Sequence, residues 1–265
     1  MRRAPVWVAA TVVAAAVVGA CSGASTAPDG IVSLSFDTLP YPSIVAGDTM
    51  RDSLGHAAPL NAVAYNASGA IIANPAVRYF VLDTGVDVSA TGYLIATTRT
   101  SGAVRVIAAA SALQSLPRTI TVTRAPDRLV VSGTPPDTLK YALPDVASNV
   151  SQPMAVKLTR DSAGTAVAVP GFLVTWALTF HGQTVAKTDT TLASVWDDAS
   201  SRHTSLVDTT GSDGTASRVL RIRANNLPSA ADSFLVYATT RYHGVPVAGS
   251  PVKFVIHFRP KPPAR

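Results

Sequence analysis

The stretch Val169-Pro170-Gly171-Phe172-Leu173-Val174-Thr175-Trp176-Ala177-Leu178-Thr179-Phe180 decides the fold. Proline and glycine at its head turn the chain. Phe172 to Phe180 is then the most strongly apolar strand of the sequence. A short apolar run bounded by turn residues reads as a buried strand, and Trp176 supplies the largest packing surface between two sheets. Upstream lie the turn Asp161-Ser162-Ala163-Gly164 and the strand Met154 to Thr159. Downstream, the dense turn run Val207-Asp208-Thr209-Thr210-Gly211-Ser212-Asp213-Gly214 leads into strands at Ala216 to Arg223, Ser233 to Thr239 and Val252 to Phe258. Pairs such as Asp-Gly permit the positive φ that tight hairpins need.

The same punctuation runs through the first half of the chain. Asn61 to Tyr65, Ala70 to Ala73, Val77 to Leu82, Val86 to Val88, Tyr93 to Thr97, Ala103 to Ala109 and Thr119 to Thr123 are about seven short strands separated by turns. Arg124-Ala125-Pro126-Asp127 reads as a linker, because proline cannot sit in a central strand and stiffens a junction. Ala108 to Ser115 is the best helical candidate, and a strand end followed by a loop suits it better. Composition agrees. All 16 acidic residues are Asp and none is Glu, so a good helix former is missing while the turn-favouring acid is plentiful. This also excludes every catalytic motif that requires glutamate. The chain is 47% hydrophobic and 14% charged, which excludes a self-repelling disordered polymer. Its 265 residues suffice for two modest cores.

Arg2 and Arg3 precede an almost unbroken apolar run from Pro5 to Val18, followed by Val18-Gly19-Ala20-Cys21. This is the pattern of a secretory signal, too short for a comfortable membrane span. Ser22 to Gly30 is small and polar, like a tether. Cys21 is the only cysteine, so an internal disulfide is impossible. The junction resembles the lipobox of bacterial lipoproteins, in which the cysteine is lipidated and becomes the first mature residue. Ser22, where an Asp would imply retention at the inner membrane, implies the outer membrane. The other reading is an ordinary leader with an incidental cysteine, or a non-cleaved anchor. Cleavage before Cys21 removes two of the charges behind the net +6, leaving no nucleic-acid footprint.

Two further resemblances concern the body of the chain. Val45-Ala46-Gly47-Asp48-Thr49, Asn74-Pro75-Ala76-Val77, Val88 to Leu94 and Ser101 to Val106 resemble the bacterial immunoglobulin-like group-2 repeat, with Tyr79-Phe80 where that group usually carries tryptophan. The turn Asp161 to Gly164, then Val169 to Trp176, then Thr210 to Ala216 are similar to the invasin/intimin-type group-1 immunoglobulin-like repeat. The expected architecture is therefore all-β: a signal peptide over 1–20, a lipidated tether over 21–30, immunoglobulin-like sandwiches over 31–124 and 125–258, and a proline-rich tail over 259–265.

Candidate chemistry is sparse. The chain has no Gly-x-Ser-x-Gly elbow and no phosphate loop, and its five histidines are scattered singly. No catalytic residue, cofactor site or resident metal is expected. Asp197, Asp198, Asp208 and Asp213 offer hard oxygen ligands for calcium, or else they cap turns through their own backbone. Alternation puts Arg221 and Arg223 on one strand face opposite Leu220 and Ile222, with Arg218 nearby. That row either reads polyanions or forms a solvated face or protected edge. Trp196, beside two carboxylates, either stacks on a sugar or packs beneath a loop. The resulting expectation is a monomeric, non-catalytic envelope lipoprotein, tied to the membrane through lipid on Cys21. It would present its sandwiches to a protein or surface-glycan partner, for adhesion, assembly or docking. The alternatives are a carbohydrate- or polyanion-binding module and an accessory subunit of an exported enzyme or secretion complex.

Overall fold

A computed structural model of the chain describes residues 30–187, 189, 191–227 and 231–261. The stretch expected to be a signal peptide, and Cys21, lie outside them. Among the described residues there is no α-helix. The one helical segment is a 3-10 turn at Ala224–Asn226.

Two β-sandwiches follow one another. In the first, one sheet runs in the order Ser43–Val45, Arg118–Thr123, Gly102–Ala110, Arg78–Val81. The other layer consists of the pair Ser33–Ser35 with Val63–Tyr65 and the pair Val86–Val88 with Leu94–Ala96. Along Gly102–Ala110 the side chains of Val104, Val106 and Ala108 are buried while Arg105 is exposed. This period of two sends alternate residues to the core and to water. Phe36, Ile44, Met50, Leu60 and Leu94 complete that core.

The second sandwich packs a sheet ordered Arg128–Ser132, Met154–Ser162, Thr215–Ile222, Ala193–Trp196 against a larger one ordered Leu139–Tyr141, Val252–Pro260, Asp232–Tyr242, Leu173–Phe180. The strand that announced the fold behaves as read. Val174, Trp176 and Leu178 are buried and Thr175 and Ala177 exposed. Trp176 stacks on Phe254 with ring centroids 6.0 Å apart. Val252, Phe254, Ile256 and Phe258 form the matching face of the Val252–Pro260 strand. Burial of each such side chain contributes about 1.5–3 kcal/mol before entropy is counted.

In each sandwich a strand near the start lies parallel to the last strand. Ser43–Val45 runs alongside Arg118–Thr123, and Leu139–Tyr141 alongside Val252–Pro260. Among the described residues the other strand-to-strand ladders are antiparallel.

The polar stretch 181–206 holds an element that no sequence pattern marks. It contains the strand Ala193–Trp196, whose four residues are all buried and which pairs antiparallel with Val219 to Ile222. Four residues flanked by threonine, serine and aspartate are too few to announce a strand. The neighbouring strand Thr215–Ile222 supplies the missing specification.

Candidate functional site

Trp196 and Arg221, the candidates for a ligand surface, are both interior. Trp196 is 6% exposed and Arg221 is 2% exposed. Alternation correctly places Arg221 opposite Leu220 and Ile222, but its face does not meet water. The chain around Asn149 to Ser151 continues the sheet beside Thr215–Ile222, with Ser151 N–H donating to Leu220 O and Ile222 N–H to Asn149 O. That brings Asp145 over the arginine. Arg221 Nη2 donates to Asp145 Oδ2 at 2.8 Å, and the guanidinium lies 5.8 Å from the Trp196 ring centroid. Arg221 Nε and Nη1 and Arg223 Nε are buried with no hydrogen-bond partner. Arg223 is part-exposed, and its Nη1 is 3.9 Å from the same carboxylate. Arg218 is also buried, paired with Asp208 at 2.7 Å and donating to the Val207 carbonyl. These arginines are committed to the protein's own carboxylates and carbonyls, so the polyanion row and the solvated face are both corrected for Arg221.

Asp145 also accepts from Ala224 N–H at 3.1 Å and Asn149 Nδ2 at 3.1 Å. Burial opposes its charge most strongly, yet these donors together with Arg221 outweigh it and lower its pKa below the ordinary value.

The four aspartates offered as calcium ligands or turn caps all accept hydrogen bonds from nearby groups. Asp198 accepts from the Ser200 and Ser201 hydroxyls and backbone N–H groups, which hold its carboxyl well below the usual range. Asp197 accepts from the Ser201 hydroxyl and from Asp198 and His203 N–H. Asp208 accepts from Ser217 N–H and Arg218, and Asp213 from Thr215 N–H. Their oxygens are used in turns, and among the described residues no group of three or more His, Cys, Asp or Glu is placed to hold a metal.

The junction between the sandwiches is a contact that sequence reasoning missed. Tyr41 and Val45 of the first sandwich pack on the core of the second. The Tyr41 ring meets Phe172 edge-on at 5.8 Å, and Phe172 meets Tyr242 at 6.3 Å. Leu173 N–H donates to the Tyr41 hydroxyl oxygen at 2.9 Å. Burial, only partly offset by that bond, pushes the Tyr41 hydroxyl up to about 12. Asp48 holds a second point. Arg51 donates to both its oxygens at 3.2 Å, Thr49 N–H donates at 2.8 Å, and His243 Nε2 from the other sandwich lies 2.5 Å from Oδ2. Backbones touch at a third point, where a Cβ on Gly55 would sit 2.2 Å from Gly244 N. The cavity left among Tyr41, Ser43, Asp48 and His243 is only about 30 Å³, so the surfaces fit closely. Asp48 and His243 are 195 residues apart, and no local pattern announces such a pair.

The junction should come apart in acid. Burial raises the Asp48 pKa more than any other single influence does, but Arg51, His243 and Thr49 N–H together lower it below its ordinary 3.8. A depressed carboxylate contributes stability that is fully present above its unfolded value and lost as pH falls through its folded value. Inter-sandwich fluorescence transfer should therefore hold from neutrality down to 3.8 and fall below it. In Asp48→Asn it should be low throughout. A flat wild-type profile would count against the lock.

No protein-family model matches the chain, and no curated protein matches it. Among solved structures it is similar to the adhesin InvE of Yersinia pseudotuberculosis, with 15% identity over 82% of this chain and 56% of that one, at a TM-score of 0.32. It is similar to the Escherichia coli adhesin FdeC, with 16% identity, 84% and 63% coverage and a TM-score of 0.29. It is also similar to domains 4 and 5 of the S-layer protein SbsC, with 13% identity, 85% and 96% coverage and a TM-score of 0.28. The chain thus spans little more than half of the InvE structure. Scores of this size assign neither family nor function.

Proposed function

We propose that this chain is a non-catalytic envelope lipoprotein that holds two immunoglobulin-like sandwiches as one stiff unit for a partner to dock on. The observation that carries the reading is the three-point junction: Tyr41 on Leu173, Asp48 on His243, and Gly55 against Gly244. Two sandwiches on a free linker would each explore many orientations. A locked pair presents its combined surface without that entropy being lost on binding. Lipid on Cys21 would fix the other end at the outer membrane, and several acyl chains would make that attachment stable.

Two experiments test this. Labelling with radioactive palmitate should mark the wild-type chain, and Cys21→Ser should lose the label and move the protein into the soluble fraction. Unlabelled wild-type protein would remove the lipid anchor. Capture of one stoichiometric envelope protein by the full chain in detergent would support docking. No retention on any envelope fraction would leave a spacer.

A second reading, an accessory subunit that accepts a partner strand, is favoured by the edge strand Arg78–Val81. It ends its sheet and exposes Phe80 at 47%. If it is right, Phe80→Asp should abolish the stoichiometric capture.

A further inference from the structure

A second hollow at the meeting of the two sandwiches is much larger than the residual cavity under Tyr41, with a volume of about 670 Å³. That is the size of a small-molecule or oligosaccharide cleft, and junctions between domains are where such clefts concentrate. Both sandwiches contribute walls. Arg124 comes from the end of the first and Arg160 from the Met154–Ser162 strand of the second.

These two arginines differ from Arg218 and Arg221. Among the described residues neither guanidinium has a hydrogen bond or an ion pair, and both residues line the hollow. The carboxylates nearest them in the chain are already committed. Asp127 accepts Asp161 N–H at 2.8 Å, and Asp161 accepts Gly164 N–H at 2.7 Å. Asp213, next to the hollow, accepts Thr215 N–H at 2.9 Å. Two unpaired guanidiniums, one from each sandwich, favour a ligand bearing carboxylate or sulfate groups, which the planar fork of arginine binds bidentately.

The remaining lining is unlike a purely ionic site. The hydroxyls of Ser101, Thr121, Ser162 and Ser212 border the hollow, and none bonds to another protein group among the described residues. Val167 and Pro170 add apolar contact beside them. Gly171 lets the two sandwiches approach closely at the edge of the hollow, since a Cβ there would sit 2.8 Å from Ser43 Cβ. Hydroxyls that can donate and accept, apolar ribs and two cations together match a polyhydroxylated, acidic ligand.

We infer that the inter-sandwich hollow binds a short segment of an acidic polysaccharide, with Arg124 and Arg160 pairing with its charged groups. This extends the docking role above by naming a ligand class, and it depends on the locked junction because the walls come from different sandwiches.

The test is calorimetric titration of the full chain in detergent with four probes: an oligogalacturonate, a sulfated hexasaccharide, a neutral glucan of equal length, and poly-aspartate of equal charge. Saturable one-to-one binding is expected for at least one acidic sugar, weakening with salt. It should fall about tenfold in each of Arg124→Ala and Arg160→Ala, the loss of one charge-assisted pair. Arg202→Ala, outside the hollow, should leave it unchanged. The inference is overturned if neither acidic sugar binds, if the neutral glucan or poly-aspartate binds equally well, or if all three variants behave alike. None of those results touches the docking role, which is read separately from captured envelope protein. Circular dichroism of the variants separates lost binding from lost folding.

Discussion

Asp145→Ala is expected to lower the unfolding free energy of the second sandwich by about 3–5 kcal/mol, the usual cost of leaving a buried charge without its partner. The variant leaves the Arg221 guanidinium 2% exposed, with Nε and Nη1 already lacking acceptors and its one carboxylate gone. It also removes the acceptor of Ala224 N–H and Asn149 Nδ2. The Trp196 ring beneath the cation offsets only part of this, since such a contact is worth about 0.5–2 kcal/mol. Against a total stability of about 5–15 kcal/mol, the loss would bring the module close to unfolding. Urea denaturation followed by tryptophan fluorescence reads it directly. The double variant Asp145→Leu with Arg221→Met should recover most of the loss, because replacing a buried pair with apolar groups is often neutral. A single variant that leaves the urea midpoint unmoved would mean that this arginine is solvated after all, and would reopen the surface reading.

Gly55→Val should swing the sandwiches apart while leaving each folded. A Cβ at this position would lie 2.2 Å from Gly244 N and 2.3 Å from His243 C, and both are backbone atoms that cannot step aside. The position also has φ +91, which costs a side chain about 1–3 kcal/mol on its own. The strain falls on an exposed turn, where Asp52 accepts the N–H groups of Leu54 and His56, and not on either core. Small-angle scattering should show a larger radius of gyration, and Asp48 should lose His243 as partner. Gly69→Val is the control. Its φ is +79 with nothing within 4 Å of the added carbon, so it carries the strain without the wedge. If the two variants scatter alike, the close approach does not hold the junction.

The contrast between these two sites shows what a single sequence discloses. Period-two burial and turn chemistry are local, so the Leu173–Phe180 strand and its hairpins could be read directly. The sites depend on distant partners. Alternation assigns Arg221 to the face away from Leu220 but cannot say that Asp145, 76 positions earlier, returns to cover that face. The polar residues after Trp196 leave open whether it stacks on a sugar or packs inward, and its strand pairing with Val219 is what places it inside. Asp197 and Asp198 look like ligands because of their charge, whereas their hydrogen bonds come from residues one to six positions ahead. Asp48 lies in the stretch Val45 to Thr49, yet nothing there points to His243, and only the folded arrangement of Tyr41, Phe172 and Tyr242 brings the two together.

The parallel pairing of early and final strands has a mechanical consequence. Ser43–Val45 lies along Arg118–Thr123, and Leu139–Tyr141 along Val252–Pro260, with Lys261 N–H bonded to Tyr141 O at 2.7 Å. When a parallel pair is pulled from the start of one strand and the end of the other, the tension runs along both strands. Their backbone hydrogen bonds are then loaded together in shear, and cannot open one after another as they would in a hairpin peeled from its end. A molecule held by its N-terminal side while its far end is pulled would meet that tension at each sandwich with this parallel pair in its stronger direction.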